Sequence, residues 1–205
     1  MVKQATAILM GFPYDANENN TNGTMSTAVR INDLETYSNF TDKHSVAMTW
    51  GMFAVGWLEA GEQAKAEAAF LRGYANIKSP FGVWTETPTG GTVNFITGAG
   101  GFMQSVVFGY GGLRLREERL DLLQPPLPQG TTSLTLRGVH YRGNKLLVEV
   151  TAKDVSVEVM EQTADAAKLD LCLPNAETVG LAPGNVSRFA RGAAASVRPA
   201  GTCAE

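Results

Sequence analysis

Cysteine and histidine are both scarce in this chain of 205 residues. It contains two cysteines, Cys172 and Cys203, and two histidines, His44 and His140, and none of the four has the short spacing of zinc ligands. We therefore expect neither a zinc site nor a catalytic cysteine–histidine pair, and no other cofactor is indicated. A disulfide between the cysteines is only a minor alternative, because Cys203 lies in a segment that resembles a tail.

Charge is also sparse. Charged residues make up 18% of the chain and the formal net charge is −3, which argues against a nucleic-acid partner and a membrane-binding patch. No apolar run approaches the roughly 20 residues that a membrane-spanning helix needs. The composition therefore indicates a globular protein that is long enough to bury a sizeable core, with no nucleic-acid or membrane partner.

The sequence leaves the cellular compartment open. The apolar stretch after Lys3 is short for a signal peptide and lacks a small-residue cleavage site before Pro13, so we interpret it as structure. Because a chain rich in Asn and Thr contains some N-x-S/T sequons by chance, these do not establish secretion, and a cytoplasmic location is slightly favoured. The sequons begin at Asn19, Asn22, Asn39 and Asn185.

What the chain has in excess is glycine, which is concentrated in one region. There are 22 glycines, and many of them fall within "FGVWTETPTGGTVNFITGAGGFMQSVVFGYGGLRL", residues 81–115. Glu86 is the single charged side chain of this segment before Arg114. Such a carboxylate, next to the aromatic Trp84 and close backbone, suits a catalytic base, whereas on the residues alone a solvated loop glutamate is the commoner outcome.

Apolar periodicity predicts helices in the first half of the chain. A polar loop over 16–26 precedes a helix that is capped by Ser26 or Thr27 and ends at about Phe40. Residues 45–60 are apolar on nearly every face and predict a helix that is buried all round. The pattern "EQAKAEAAFLRGYANI", residues 62–77, predicts an amphipathic outer helix. A last helix without charge is predicted from about Phe95 to Tyr110.

After Gly112 the apolar period changes to two, which predicts antiparallel strands. "YRGNKL" predicts a hairpin with Gly143 and Asn144 at its tip. The segment beyond Phe189 has little to bury and predicts a disordered tail. The expected domains are thus a helical region over 1–112, a β-module over 113–188 and a tail over 189–205.

Five stretches together resemble the C-terminal part of glycoside hydrolase family 65. They are "KQA" at the start, "AMTWGMFAVGW" in the buried helix, "VWTE", "NFITGAGGFMQSVVFGYGGLRL" and "GNKL" in the hairpin. The similarity runs from about Val2 to about Val159, in the same order and spacing. It implies the last part of an (α/α)6 barrel of inner and outer helices, followed by an antiparallel β-sandwich-like module.

The resemblance also implies roles for individual residues. Glu86 matches the glutamate that is the general base in hydrolase members of the family. Lys3 and Gln4 match a pair that contacts the glucose unit at the cleavage subsite, and Trp84 is a candidate sugar-stacking residue. Lys and Gln side chains offer hydrogen bonds that suit sugar hydroxyls, but without the resemblance an exposed N-terminal dipeptide is the better interpretation.

The implied activity is inverting hydrolysis of a glucosyl-galactosyl unit on collagen hydroxylysine, a carbohydrate partner, with trehalose as the alternative substrate. A phosphorylase branch is disfavoured because no cationic side chain lies between Ser79 and Arg114 to bind phosphate. The resemblance places the general acid upstream of Met1, so the 205-residue chain alone is expected to be inactive. The other alternative is a non-catalytic short isoform that acts as a structural module.

Overall fold

The computed structural model describes residues 1–4, 6–15, 25–192 and 195–203. The chain divides into two compact units, Met1–Gly109 and Tyr110–Glu205. The first unit is mainly helical and the second consists of antiparallel sheets, so the order of helices followed by strands is confirmed. Most of the predicted polar loop, residues 16–24, lies outside the described residues.

The described part of the helical unit contains four α-helices. They are α1 (Thr27–Phe40), α2 (Ala47–Glu59), α3 (Gln63–Gly73) and α4 (Ile96–Gln104). A 3-10 turn over Ala7–Met10 precedes them, and a π-helical turn over Ser105–Tyr110 follows α4. The Ser26 hydroxyl accepts the backbone N–H of Val29, which caps α1 as predicted. The third predicted helix was too long, because Ile77 begins a strand instead.

The apolar helix α2 forms the core of this unit. Trp50, Phe53 and Trp57 are almost fully buried, as the nearly uniform apolarity of this helix predicted. Two glycines let α2 and α4 approach closely, since a Cβ on Gly51 would lie 2.3 Å from the carbonyl oxygen of Gly101. Part of the glycine cluster therefore serves close helix packing.

A small antiparallel sheet lies between α3 and α4 in the chain. Its strands are β1 (Ile77–Lys78), β2 (Val83–Thr87) and β3 (Gly90–Val93), in spatial order β1-β2-β3. These strands were not predicted, because they are short and rich in glycine and threonine rather than in alternating apolar residues. This sheet carries Glu86.

The second unit is built from two antiparallel sheets. Their strands are β4 (Leu113–Leu115), β5 (Leu120–Leu122), β6 (Ser133–Tyr141), β7 (Asn144–Thr151), β8 (Asp154–Gln162), β9 (Leu169–Cys172), β10 (Thr178–Leu181), β11 (Val186–Ala190) and β12 (Ala195–Pro199). The five-stranded sheet has the order β10-β9-β12-β5-β4, and the four-stranded sheet has the order β11-β8-β7-β6. Buried and half-buried residues alternate along β7 as the period of two predicted.

The prediction of a disordered tail from residue 189 was wrong. Strand β12 pairs with both β9 and β5, and Val197 is fully buried. Backbone hydrogen bonding on both edges and burial of alternate residues hold this segment, although its alanine-rich composition gives a weak strand signal. The predicted boundary at 188 therefore falls within β11 rather than at the end of the β-structure.

Two further predictions about this unit were also wrong. Cys172 and Cys203 form a disulfide, which the sequence analysis disfavoured because it assigned Cys203 to the tail. The hairpin tip is Arg142–Gly143, both with positive φ, rather than Gly143–Asn144. Asn144 is fully buried in β7, where its amide donates to the carbonyl oxygens of Arg142 and Ala167.

Candidate active site around Glu86

Glu86 lies on the middle strand of the small sheet. The side chain before it, Thr85, is buried, and its hydroxyl donates to the carbonyl oxygen of Asn76 at 3.1 Å. Because successive side chains of a strand point to opposite faces, Trp84 and Glu86 share the other face of β2. The strand thus presents an indole and a carboxylate side by side.

A β-bulge lies directly opposite Glu86. Thr85 pairs with Val93 and Thr87 pairs with Gly90, so two residues of β3, Gly91 and Thr92, oppose Glu86 alone. Gly91 has a φ of +82°, the left-handed conformation that begins a glycine-type bulge. Bulges of this kind are common next to active sites, where they redirect a side chain.

The bulge holds one oxygen of the Glu86 carboxylate, and Lys3 faces the other. The backbone N–H of Thr92 donates to Oε2 at 3.2 Å, and Lys3 Nζ lies 3.7 Å from Oε1. A Cβ on Gly91 would lie only 2.8 Å from Oε2, so glycine is needed here for space as well as for conformation. The Glu86 side chain is 25% exposed, which leaves part of the carboxylate open to solvent.

The segment that carries Lys3 is fixed by backbone hydrogen bonds to the end of α1. Val2 N donates to the Phe40 carbonyl at 2.8 Å, and Asp42 N donates to the Val2 carbonyl at 2.9 Å. The Ser45 hydroxyl donates to the carbonyl oxygen of Lys3. Gln4, the next residue in the chain, is exposed.

The Trp84 ring packs against neighbouring residues of the helical unit, so it is only partly accessible to a ligand. Its ring lies 5.6 Å from the Phe102 ring, and a Cβ on Gly98 would come within 3.1 Å of its Cδ1. Its indole Nε1 is buried without a hydrogen-bond partner among the described residues. Trp50 and Trp57, in contrast, are core residues whose rings are covered by Arg72 and Lys65 respectively.

Asn76 is a positioning residue that the sequence analysis missed. It is 2% exposed, and its Nδ2 donates to the backbone carbonyl of Glu86 at 3.2 Å. Its own carbonyl oxygen accepts the backbone N–H of Thr85 at 3.3 Å as well as the Thr85 hydroxyl. A single asparagine after a helix carries no sequence signal for this role, because a turn position explains it equally well.

Neither a metal-binding cluster nor a membrane-spanning helix is present among the described residues. They contain no group of three or more His, Cys, Asp or Glu side chains that could hold a metal ion, and no described helix is long and apolar enough to cross a membrane. Glu59, the other carboxylate near the apolar helices, forms an ion pair with Arg30. Glu86, in contrast, has Lys3 Nζ 3.7 Å from one oxygen and remains partly exposed.

Known proteins resemble this chain across both of its units. Residues 113–175 match the model for the glycosyl hydrolase family 65 C-terminal domain. A protein-glucosylgalactosylhydroxylysine glucosidase of Danio rerio is 42% identical over 93% of this chain and 28% of the relative. The protein of the same name from Dictyostelium discoideum is 44% identical over 78% of this chain and 21% of the relative.

A solved structure shares the fold at low identity. A putative kojibiose phosphorylase from the human microbiome aligns with a TM-score of 0.59 and 16% identity, over 81% of this chain and 21% of that chain. The chain spans about a quarter of the length of the curated relatives that it matches. In sequence, it corresponds to the C-terminal part of a glycoside hydrolase family 65 protein.

Proposed function

We propose that this chain is the C-terminal portion of an inverting glucosidase in which Glu86 is the general base. In that reaction an ionised carboxylate removes a proton from water, and a second carboxyl group about 6.5–9.5 Å away protonates the leaving oxygen. The observation that carries the proposal is the carboxylate itself. Glu86 is held opposite a glycine bulge, accepts the backbone N–H of Thr92 at one oxygen, has the Lys3 ammonium 3.7 Å from the other and keeps part of its surface open.

The neighbouring residues support a sugar subsite. Lys3 and Gln4 are exposed side chains with hydrogen-bond donors, and Trp84 supplies an apolar wall on the same face of β2. Lys3 lies within reach of Glu86, so a glucose unit bound at this point would contact the lysine and the base together. We assign substrate binding to Lys3, Gln4 and Trp84 on this basis.

Exposed apolar side chains support the proposal that the helical unit is the last part of an (α/α)6 barrel. Ile96, Gly100 and Met103 share one face of α4 because residues four and three apart are neighbours on a helix. Ile96 is 83% exposed and Met103 is 55% exposed. Further barrel helices would cover this face, and one of them would supply the general acid. The 205-residue chain alone is therefore proposed to be inactive.

The test is Glu86→Gln in the full-length enzyme, because this change keeps the shape of the side chain and removes its basicity. We expect kcat to fall at least 100-fold, in line with the usual 10²–10⁴-fold contribution of acid–base catalysis. Glu35→Gln is the matched control, since Glu35 is an exposed carboxylate of α1 that pairs with Lys65. Retention of more than about a tenth of kcat by the Glu86 variant would contradict the base role.

The proposed substrate is the glucosyl-galactosyl unit of collagen hydroxylysine, and the names of the relatives from Danio rerio and Dictyostelium discoideum support it because they specify glucosylgalactosylhydroxylysine in a protein. Trehalose is the alternative that the sequence resemblance implies. Rates on glucosyl-galactosyl-hydroxylysine and on trehalose distinguish them, and a clear preference for trehalose would reject the first. Proton NMR of the released sugar should show β-glucose, since water attacks from the opposite face. Release of α-glucose would contradict a water-activating base.

A further inference from the structure

The β unit contains two features that glucoside hydrolysis does not require. One is the disulfide Cys172–Cys203, and the other is an exposed sequon at Asn185 in the turn before β11. Cys172 lies near the end of the segment that matches the family model, residues 113–175, and Asn185 and Cys203 lie beyond it. Structural disulfides form, and sequons are glycosylated, in the secretory route rather than in the cytosol.

The cysteine pair is positioned by the fold of the segment after β12. Cys172 is the last residue of β9 and lies opposite Ser196 of β12. Beyond Pro199 the chain reverses, and Gly201 N donates to a carboxylate oxygen of Asp170 at 2.9 Å. The Cα atoms of the two cysteines are consequently 5.4 Å apart, within the usual range for a disulfide without backbone movement.

The disulfide uses both cysteines of the chain, so no free thiol is left. It links β9 to the segment that follows β12 across a sequence separation of 31 residues. Because β12 is an inner strand of its sheet, this link secures the strand against release from β9 and β5. Disulfides of this structural kind persist in oxidising compartments and are rare in reducing ones.

The first two residues of the Asn185 sequon are exposed, and the third, Ser187, is half-buried. Asn185 is exposed, and its backbone N–H donates to the Ala182 carbonyl at 3.2 Å, which closes a turn at Gly184. The next residue, Val186, is 55% exposed. A bulky glycan at this turn would displace no packed side chain. N-linked glycans are characteristically found at such surface turns.

The sequon at Asn39 is less suitable. Asn39 lies in the last turn of α1, and the Thr41 of its sequon is 4% exposed. The Thr41 hydroxyl is already bonded to the Tyr37 carbonyl at 2.6 Å. The sequons at Asn19 and Asn22 lie outside the described residues. Among the described sequons, Asn185 is therefore the one that the structure favours.

We propose that this protein folds in an oxidising, glycosylating compartment, where the Cys172–Cys203 disulfide forms and Asn185 accepts an N-linked glycan. The proposal is independent of Glu86 and of glucosidase activity. It replaces the slight preference for the cytoplasm that the sequence alone supported, since two features with no common structural cause point to the same compartment.

The test begins with the protein from its native source, alkylated with N-ethylmaleimide before lysis. After digestion without reduction, we expect mass spectrometry to find the Cys172–Cys203 cross-linked peptide. Enzymatic removal of N-glycans in ¹⁸O-water should convert Asn185 into labelled aspartate. Two alkylated cysteines and an unmodified Asn185 would overturn the proposal.

Variants of the full-length protein secreted from a eukaryotic host give a second readout. Asn185→Gln should remove one glycan-sized step of electrophoretic mobility. Asn175→Gln is the matched control, because Asn175 is also exposed in a turn of this unit but begins no sequon. Loss of the same step in the Asn175 variant, or no change in the Asn185 variant, would exclude Asn185 as the acceptor.

Discussion

The two units use a carboxylate in opposite ways. In the helical unit, Glu86 has a lysine at 3.7 Å from one oxygen and a backbone N–H at the other, and it remains 25% exposed. In the β unit, Asp121 accepts Arg119 Nε at 2.8 Å and Arg116 Nε at 3.0 Å, and it is 13% exposed. One carboxylate is held but open, whereas the other is saturated by strong donors.

Arg114 makes the contrast sharper. It pairs with Asp121 across β4 and β5 and is 4% exposed. Burial lowers the pKa of its guanidinium to about 10, although the charge of Asp121 acts to raise it. A buried cation without a nearby anion would be costly. Asp121 therefore has a structural role, and its oxygens are occupied by arginines. The carboxylate of Glu86, in contrast, is partly open to solvent.

The units differ in their apolar surface as well. Along β7 and β8, the side chains of Leu146, Val148 and Val157 are buried within the unit's own sheets. In the helical unit, Phe81 is 87% exposed and Ile96 is 83% exposed. The most exposed large apolar side chain among the described residues of the β unit, Leu115, is less exposed at 69%, so we expect the β unit to depend less on further structure than the helical unit does. Four experiments test this comparison.

The largest effect is expected from Leu146→Ala in the β unit. Leu146 is fully buried in β7, so truncation should lower the free energy of unfolding of this unit by about 3 kcal/mol. Hydrogen exchange of β7 and β8 peptides during denaturation measures it. Leu115→Ala, at a leucine that is 69% exposed in β4, should change stability by less than about 0.5 kcal/mol. Equal effects of the two changes would show that the β unit lacks an independent core.

The next largest effect is expected from Asp121→Asn. It removes the anion from a group of arginines of which Arg114 is buried, and we expect a loss of about 2 kcal/mol in unfolding free energy. The same exchange measurement on β4 and β5 checks it. Glu161→Gln is the control, since the exposed Glu161–Lys145 pair should contribute less than about 1 kcal/mol. If Asp121→Asn lowers the free energy of unfolding no more than the control does, Asp121 does not have the proposed structural role.

A smaller effect is expected from Gly91→Ala in the full-length enzyme. Alanine would have to adopt a φ near +82° and would meet Glu86 Oε2, so the carboxylate should move. We expect kcat/KM to fall about tenfold, which corresponds to about 1.4 kcal/mol. At the control position, Gly73, an added methyl meets nothing within 4 Å. Unchanged kinetics in Gly91→Ala would show that the bulge does not position the Glu86 carboxylate for catalysis.

The smallest effect concerns the isolated chain. If α4 lacks its partners, the 205-residue chain should self-associate through Ile96 and Met103. Ile96→Ser with Met103→Ser should raise the concentration at which association begins by roughly tenfold, as expected from partial loss of apolar burial. Size-exclusion chromatography with light scattering measures this. A monodisperse wild-type chain with glucosidase turnover would refute the need for further barrel helices.

The sequence predicted regular elements better than it predicted the site. Helix α2 was evident because its residues are apolar on nearly every face, and β6 to β8 were evident because their apolar residues alternate. The capping of α1 followed from Ser26. In these cases one local pattern determines the element, so no knowledge of distant residues is needed.

The geometry around Glu86 depends on residues that are distant in the chain and could not be read locally. The sequence and its family resemblance selected Glu86 and Lys3, but not the bulge opposite the carboxylate or Asn76 behind it. Gly91 and Thr92 oppose Glu86 only in the paired strands, and pairing register is not visible in a glycine-rich segment. The error at β12 has the same origin, because its neighbours in the sheet, rather than its composition, make it a strand.

The place of β12 also sets an order for folding during synthesis. The four-stranded sheet contains the consecutive hairpins β6-β7 and β7-β8, whose contacts are local and can form early. The five-stranded sheet cannot close until β12 leaves the ribosome, because this strand joins β9 to β5. Until then β5 and β9 each present an unpaired edge to other nascent chains. Chaperone demand during translation should therefore concentrate on this sheet and end when its central strand is inserted.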